Sequence, residues 1–136
     1  MCSSDLAEDG ATALHWAVYR DNTALVDMLL GAGAKATVAN RYGVTPLELA
    51  CMNGSAGVID RLLKHNVSAT RPFESGETPL MLAARSGKAD AVKVLLAHGA
   101  DANSRDAYRE QTALMWAASR GSVDVVKVKQ IGRAHV

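Results

Sequence analysis

A segment of about 33 residues recurs four times along this chain, and that period restricts the fold more than any other feature. GATALHWAVYRD starts at Gly10, GVTPLELACMNG at Gly43, GETPLMLAARSG at Gly76 and EQTALMWAASRG at Glu110. The anchor threonines Thr12, Thr45, Thr78 and Thr112 stand 33, 33 and 34 residues apart. Leu14, Leu47, Leu80 and Leu114 keep step with them, as do Ala17, Ala50, Ala83 and Ala117, and the pairs Leu29-Leu30, Leu62-Leu63 and Leu95-Leu96 recur further on. A chain built this way stacks one supersecondary unit on the next rather than closing around a single centre.

Each unit reads as two short helices. Thr45-Pro46 and Thr78-Pro79 combine an N-cap with proline at the first helical position. Leu47, Ala50 and Cys51 then share one face at helical spacing. Gly54, Gly87 and Gly121 end this helix where a left-handed residue is wanted, and Asp21 holds that place in the first unit. Val58, Ile59, Leu62 and Leu63 form the stripe of a second helix. Gly33-Ala34 and Gly99-Ala100 close the unit and begin an extended finger, whereas Asn66-Val67 in the second unit departs from that pattern and loosens the turn. Helices under three turns are marginal alone, so the stripes must be buried between neighbouring units.

The period and the T-P-L-x-x-A signature resemble the ankyrin repeat family. The resemblance runs from Gly10 to about Lys127. It implies an all-α solenoid of about four helix-turn-helix repeats with β-hairpin-like fingers, the last repeat incomplete. The repeats fall at about residues 10–42, 43–75, 76–109 and 110–130, within a domain of residues 7–130. Lys129 and Gln130 occupy the place of the paired leucines, which predicts a frayed final helix and an uncovered apolar end face.

Residues 1–6 and 131–136 fit neither neighbour. The codons ATC GGA AGA GCA CAC GTC encode the last six residues. Their reverse complement, GAC GTG TGC TCT TCC GAT, read from GTG as a start, continues Cys-Ser-Ser-Asp. One DNA segment in two orientations, similar to a short-read sequencing adapter, accounts for both ends. The expectation is therefore a metagenomic fragment with non-native flanks. The repeats look like those of soil bacteria, some of which are exported, so cytoplasm and periplasm both stay open.

Composition narrows the function. Aromatics make up only 4% of the 136 residues, so small aliphatic side chains must carry the packing. A net charge of +1 gives no long-range field for nucleic acid or an anionic membrane. No apolar run approaches the ~20 residues of a bilayer span, and no cationic, apolar leader opens the chain. Two cysteines, Cys2 and Cys51, cannot build a disulfide framework, and no Cys/His cluster has metal spacing.

The resemblance implies binding of another protein on a concave face built from finger tips and the ends of first helices. Carried onto this chain by register, the partner-binding residues are Tyr19 and Arg20, Arg41 and Tyr42, Met52 and Asn53, Glu77 and Arg85, Tyr108 and Arg109, and Arg120. All three tyrosines fall in this set, with five arginines. Tyrosine and arginine bury well while keeping a hydrogen bond, which suits a partner with acidic or carboxylate groups. Glu8, Asp9, Glu74 and Glu77 interrupt the positive charge, which argues against a phosphate-backbone track. A one-residue insertion near Ala107-Tyr108-Arg109 lengthens the last finger. Trp16 and Trp116, equivalent in register, are expected to pack between helices, and Phe73 under the second finger.

Catalysis and cofactors find no support. The resemblance gives His15 a structural hydrogen bond between fingers, and His65 and His98 sit at second-helix C-termini, where the dipole suits them. Asp101, Asn103 and Asp106 lack the glycine and distal glutamate of a calcium loop. Cys51 reads as a small core hydrophobe. No phosphate loop, nucleophile elbow, acid/base pair or small-molecule site is evident. The expectation is a protein-interaction module that is not an enzyme and takes no cofactor or metal. A regulatory or targeting segment of a larger enzyme, or a structural spacer within a longer array, remain the alternatives.

Overall fold

The computed structural model describes residues 13–65, 67–73, 75–106 and 111–128. Among them lie eight helices and no strand: α1 (Ala13–Tyr19), α2 (Thr23–Gly31), α3 (Pro46–Asn53), α4 (Ala56–Lys64), α5 (Pro79–Ser86), α6 (Ala89–Ala97), α7 (Ala113–Ser119) and α8 (Val123–Val126). Odd-numbered helices pack side by side in one row, even-numbered helices in a second, and each odd helix also packs on the even helix that follows it. The molecule is a helical solenoid, as the period predicts.

Local chemistry sets the helix ends. The Thr45, Thr78 and Thr112 hydroxyls accept the N–H groups of Glu48, Met81 and Met115 at 3.3, 3.3 and 3.4 Å. Pro46 and Pro79 occupy the first helical positions. Each first helix then stops on a left-handed residue: Asp21 at φ 54°, Gly54 at 72°, Gly87 at 77° and Gly121 at 70°. Asp21 is the sole non-glycine with positive φ among the described residues, so the backbone demand persists where glycine is missing.

The core is the seam between rows and between repeats. Ala17, Ala50, Ala83 and Ala117 are essentially inaccessible, and their small side chains let first helices approach one another closely. Val58, Ile59, Leu62 and Leu63 bury the α4 stripe, and Cys51 is fully enclosed. The fingers are hairpin ends rather than strands. Backbone bonds of 2.9 Å close them, Asn40 N–H to Val44 O, Phe73 N–H to Glu77 O and Asp106 N–H to Gln111 O, and Gly43 N–H to Asn40 O and Gly76 N–H to Phe73 O add a second bond in the first two. His15 Nε2 donates to Val44 O at 2.9 Å, tying the first repeat to the finger that enters the second.

The ends of the stack differ from its middle. Helix α8 has four residues where α2, α4 and α6 have nine. At the other end Leu25 is 39% exposed although its equivalents Val58 and Ala91 are fully buried. Lys129, Gln130 and Asn66, on which sequence expectations rest, lie outside the described residues.

Candidate functional site

Counting from each anchor threonine, the fourth and seventh residues occupy matching positions along the first-helix row, where Leu82 alone of the eight is buried. The fourth are Trp16, Leu49, Leu82 and Trp116; the seventh are Tyr19, Met52, Arg85 and Ser119. A helix that buries Leu14, Ala17 and Val18 inward must send Trp16 and Tyr19 outward. The first two repeats expose this row: Trp16 is 50% exposed, Tyr19 65% and Met52 52%, with Tyr42 at 71% on the adjoining finger. The Trp16 and Tyr19 rings meet edge-on, with centroids 6.1 Å apart and planes at 78°. The expectation that Trp16 packs between helices is therefore corrected. It stands at the outer end of the stack, where no preceding first helix among the described residues closes over it.

The third and fourth repeats use the same positions differently. Arg85 lies 3.3 Å from the Glu77 carboxylate and holds its guanidinium over the Trp116 ring, 5.3 Å from the centroid. Trp116 packs against the core as expected, and its ring N–H is buried without an acceptor. The Glu77–Arg85 pair joins a finger to the end of a first helix, so in this repeat the two adjoin. Two residues of the expected binding set thus engage each other.

The remaining members are distributed along the stack. Arg20, Arg41 and Arg120 are exposed. Asn53 donates its amide to Val18 O at 3.4 Å, and so braces the first two repeats as well as lining the row. Tyr108 and Arg109 lie outside the described residues, as do Glu8, Asp9, Glu74 and Ala107. Ser75 is exposed.

The second-helix row carries an ion ladder that composition alone does not reveal. Asp27 accepts from Arg61 Nε at 2.7 Å. Asp60 accepts from His98 Nε2 and Lys64 Nζ, each at 3.0 Å. These hydrogen bonds, His98 first, hold the Asp60 carboxyl below its usual range. Asp27 and Asp60 stand at the same register, fifteen residues after their threonines, and that recurrence is the signal from which the ladder could be read. Burial, with Glu48 adding to it, pushes the Cys51 thiol far up and leaves it inert as a nucleophile.

The chain matches a known family. A model described as ankyrin repeats (3 copies) fits residues 1–72 and 65–128. No curated protein matches the chain.

Proposed function

Since the chain belongs to the ankyrin repeat family, whose members generally mediate protein–protein interaction, we propose that it binds a partner protein on the concave surface formed by the first-helix row and the finger tips. The observation that carries this reading is the run of large side chains left open there: Trp16, Tyr19, Tyr42 and Met52 are each at least half exposed. Aromatic and methionine side chains give the most contact area for the conformational freedom they lose, and they concentrate at binding hot spots. Arg20, Arg41 and Arg120 provide donors for carboxylate or carbonyl groups on the partner. Asn53, Glu77 and Arg85 shape the surface, and Tyr108 and Arg109 join the proposed set by sequence register alone.

The test needs a partner recovered with the full chain and then titrated against variants. Tyr19→Ala, Tyr42→Ala and Met52→Ala should each weaken binding by roughly tenfold or more, as hot-spot truncations do. Met28→Ala is the control, because Met28 is 70% exposed on the second-helix row. A partner that loses affinity with Met28→Ala and ignores the other three binds elsewhere, and the concave-surface reading then fails.

A further inference from the structure

The second finger departs from its neighbours at one position, and a cavity opens beside it. At the start of the first finger's end Asn40 uses its side-chain oxygen to accept Tyr42 N–H at 2.9 Å and Val44 N–H at 3.1 Å. The third finger has the buried Asp106 at this register. Phe73 stands there in the second and offers no acceptor. Its ring packs against the core instead and walls a cavity of about 390 Å³ between the first two fingers. Leu47, Ala39 and Val67 line it with apolar surface, and Thr45 and Arg71 add polar groups.

The volume lies within the roughly 300–1,000 Å³ typical of small-ligand sites, and the composition follows their rule of apolar walls with few polar groups. Arg71 is the one charged residue among the described residues of the lining. Arg61 and Arg85 are committed to Asp27 and Glu77, but among the described residues no carboxylate pairs with Arg71. Arg71 is exposed at the edge of this apolar lining, and a guanidinium there suits a carboxylate attached to a hydrocarbon group.

We propose that this cavity binds an apolar carboxylic acid, with its hydrocarbon part against Phe73, Val67 and Leu47 and its carboxylate on Arg71. The acid is either a free small molecule or the C-terminal residue of a peptide, since both present the same groups. The proposal does not depend on partner binding along the first-helix row.

The test is an NMR titration of the whole ¹⁵N-labelled chain with N-acetyl-leucine and with N-acetyl-leucinamide, which lacks the carboxylate. The acid should shift the amide signals of Val67, Ser68 and Phe73, and should bind about tenfold or more tightly than the amide. Arg71→Gln should abolish that preference while leaving the signals of α5 and α7 in place. Should Arg71→Gln disturb the fold, Arg71→Lys serves instead, because losing the fork should weaken the acid several-fold with charge retained. Equal affinity for acid and amide, shifts confined to other repeats, no shift up to about 20 mM ligand, or a preference that survives the Arg71 change would each overturn the proposal. A pentapeptide ending in leucine with a free carboxylate separates the two sources. Tighter binding than N-acetyl-leucine assigns the site to a peptide C-terminus, and equal binding assigns it to a small acid.

Discussion

At the scale of single residues, Asp21 is the one non-glycine among the described residues held in left-handed geometry. It holds φ 54° where the three equivalent positions have glycine. Left-handed geometry costs an ordinary residue about 1–2 kcal/mol, less for aspartate, while glycine gives back part of the gain through the freedom of its unfolded chain. Asp21→Gly should therefore raise stability by a few tenths to about 1 kcal/mol, seen as a higher urea midpoint. Asp21→Val should lower it by about 1–2 kcal/mol. An Asp21→Gly variant that melts earlier than the parent would mean that the aspartate side chain contributes something its backbone geometry does not require.

At the scale of helices, caps and the ion ladder hold neighbours in register. Thr78→Ala removes the acceptor for Met81 N–H and should cost about 1 kcal/mol, measured by denaturant unfolding. The Asp60 clasp gives a pH effect whose sign follows from its depressed pKa. The folded chain releases this proton more readily than the unfolded chain does, so the clasp stabilises fully above the unfolded value of about 3.9 and fades as pH falls through the folded value. Asp60→Asn should flatten that acid limb. Parent and variant curves that superimpose below about pH 4 would show that the clasp contributes nothing.

For the molecule as a whole, stability should grade along the stack, because each repeat is supported only by its neighbours. Native-state hydrogen exchange should be slowest in α3 to α6, which have neighbours on both sides, and fastest in the single turn of α8. Leu62, fully buried between rows, tests the coupling. Leu62→Ala should cost about 2–5 kcal/mol and speed exchange in α3 and α6 as well as in its own helix. Protection lost in α4 alone would mean that the repeats do not share their stability.

Sequence alone determined the repeat, the two helices in each unit, the threonine caps, the left-handed stops including Asp21, and the buried stripes. All of these are set within one unit by spacing and residue type, so they can be read along the chain. It also placed Tyr19, Tyr42 and Met52 on exposed positions, since what a helix buries fixes what it leaves outside. The tertiary structure alone decided which side chains meet across repeats. Arg85 lies over Trp116 of the next repeat, Asp60 finds His98, Trp16 stays open at the end of the row, and Phe73 walls a cavity in place of capping its finger. Those outcomes depend on the offset between stacked units and on which neighbour is present, and neither is written in the pattern of any single repeat.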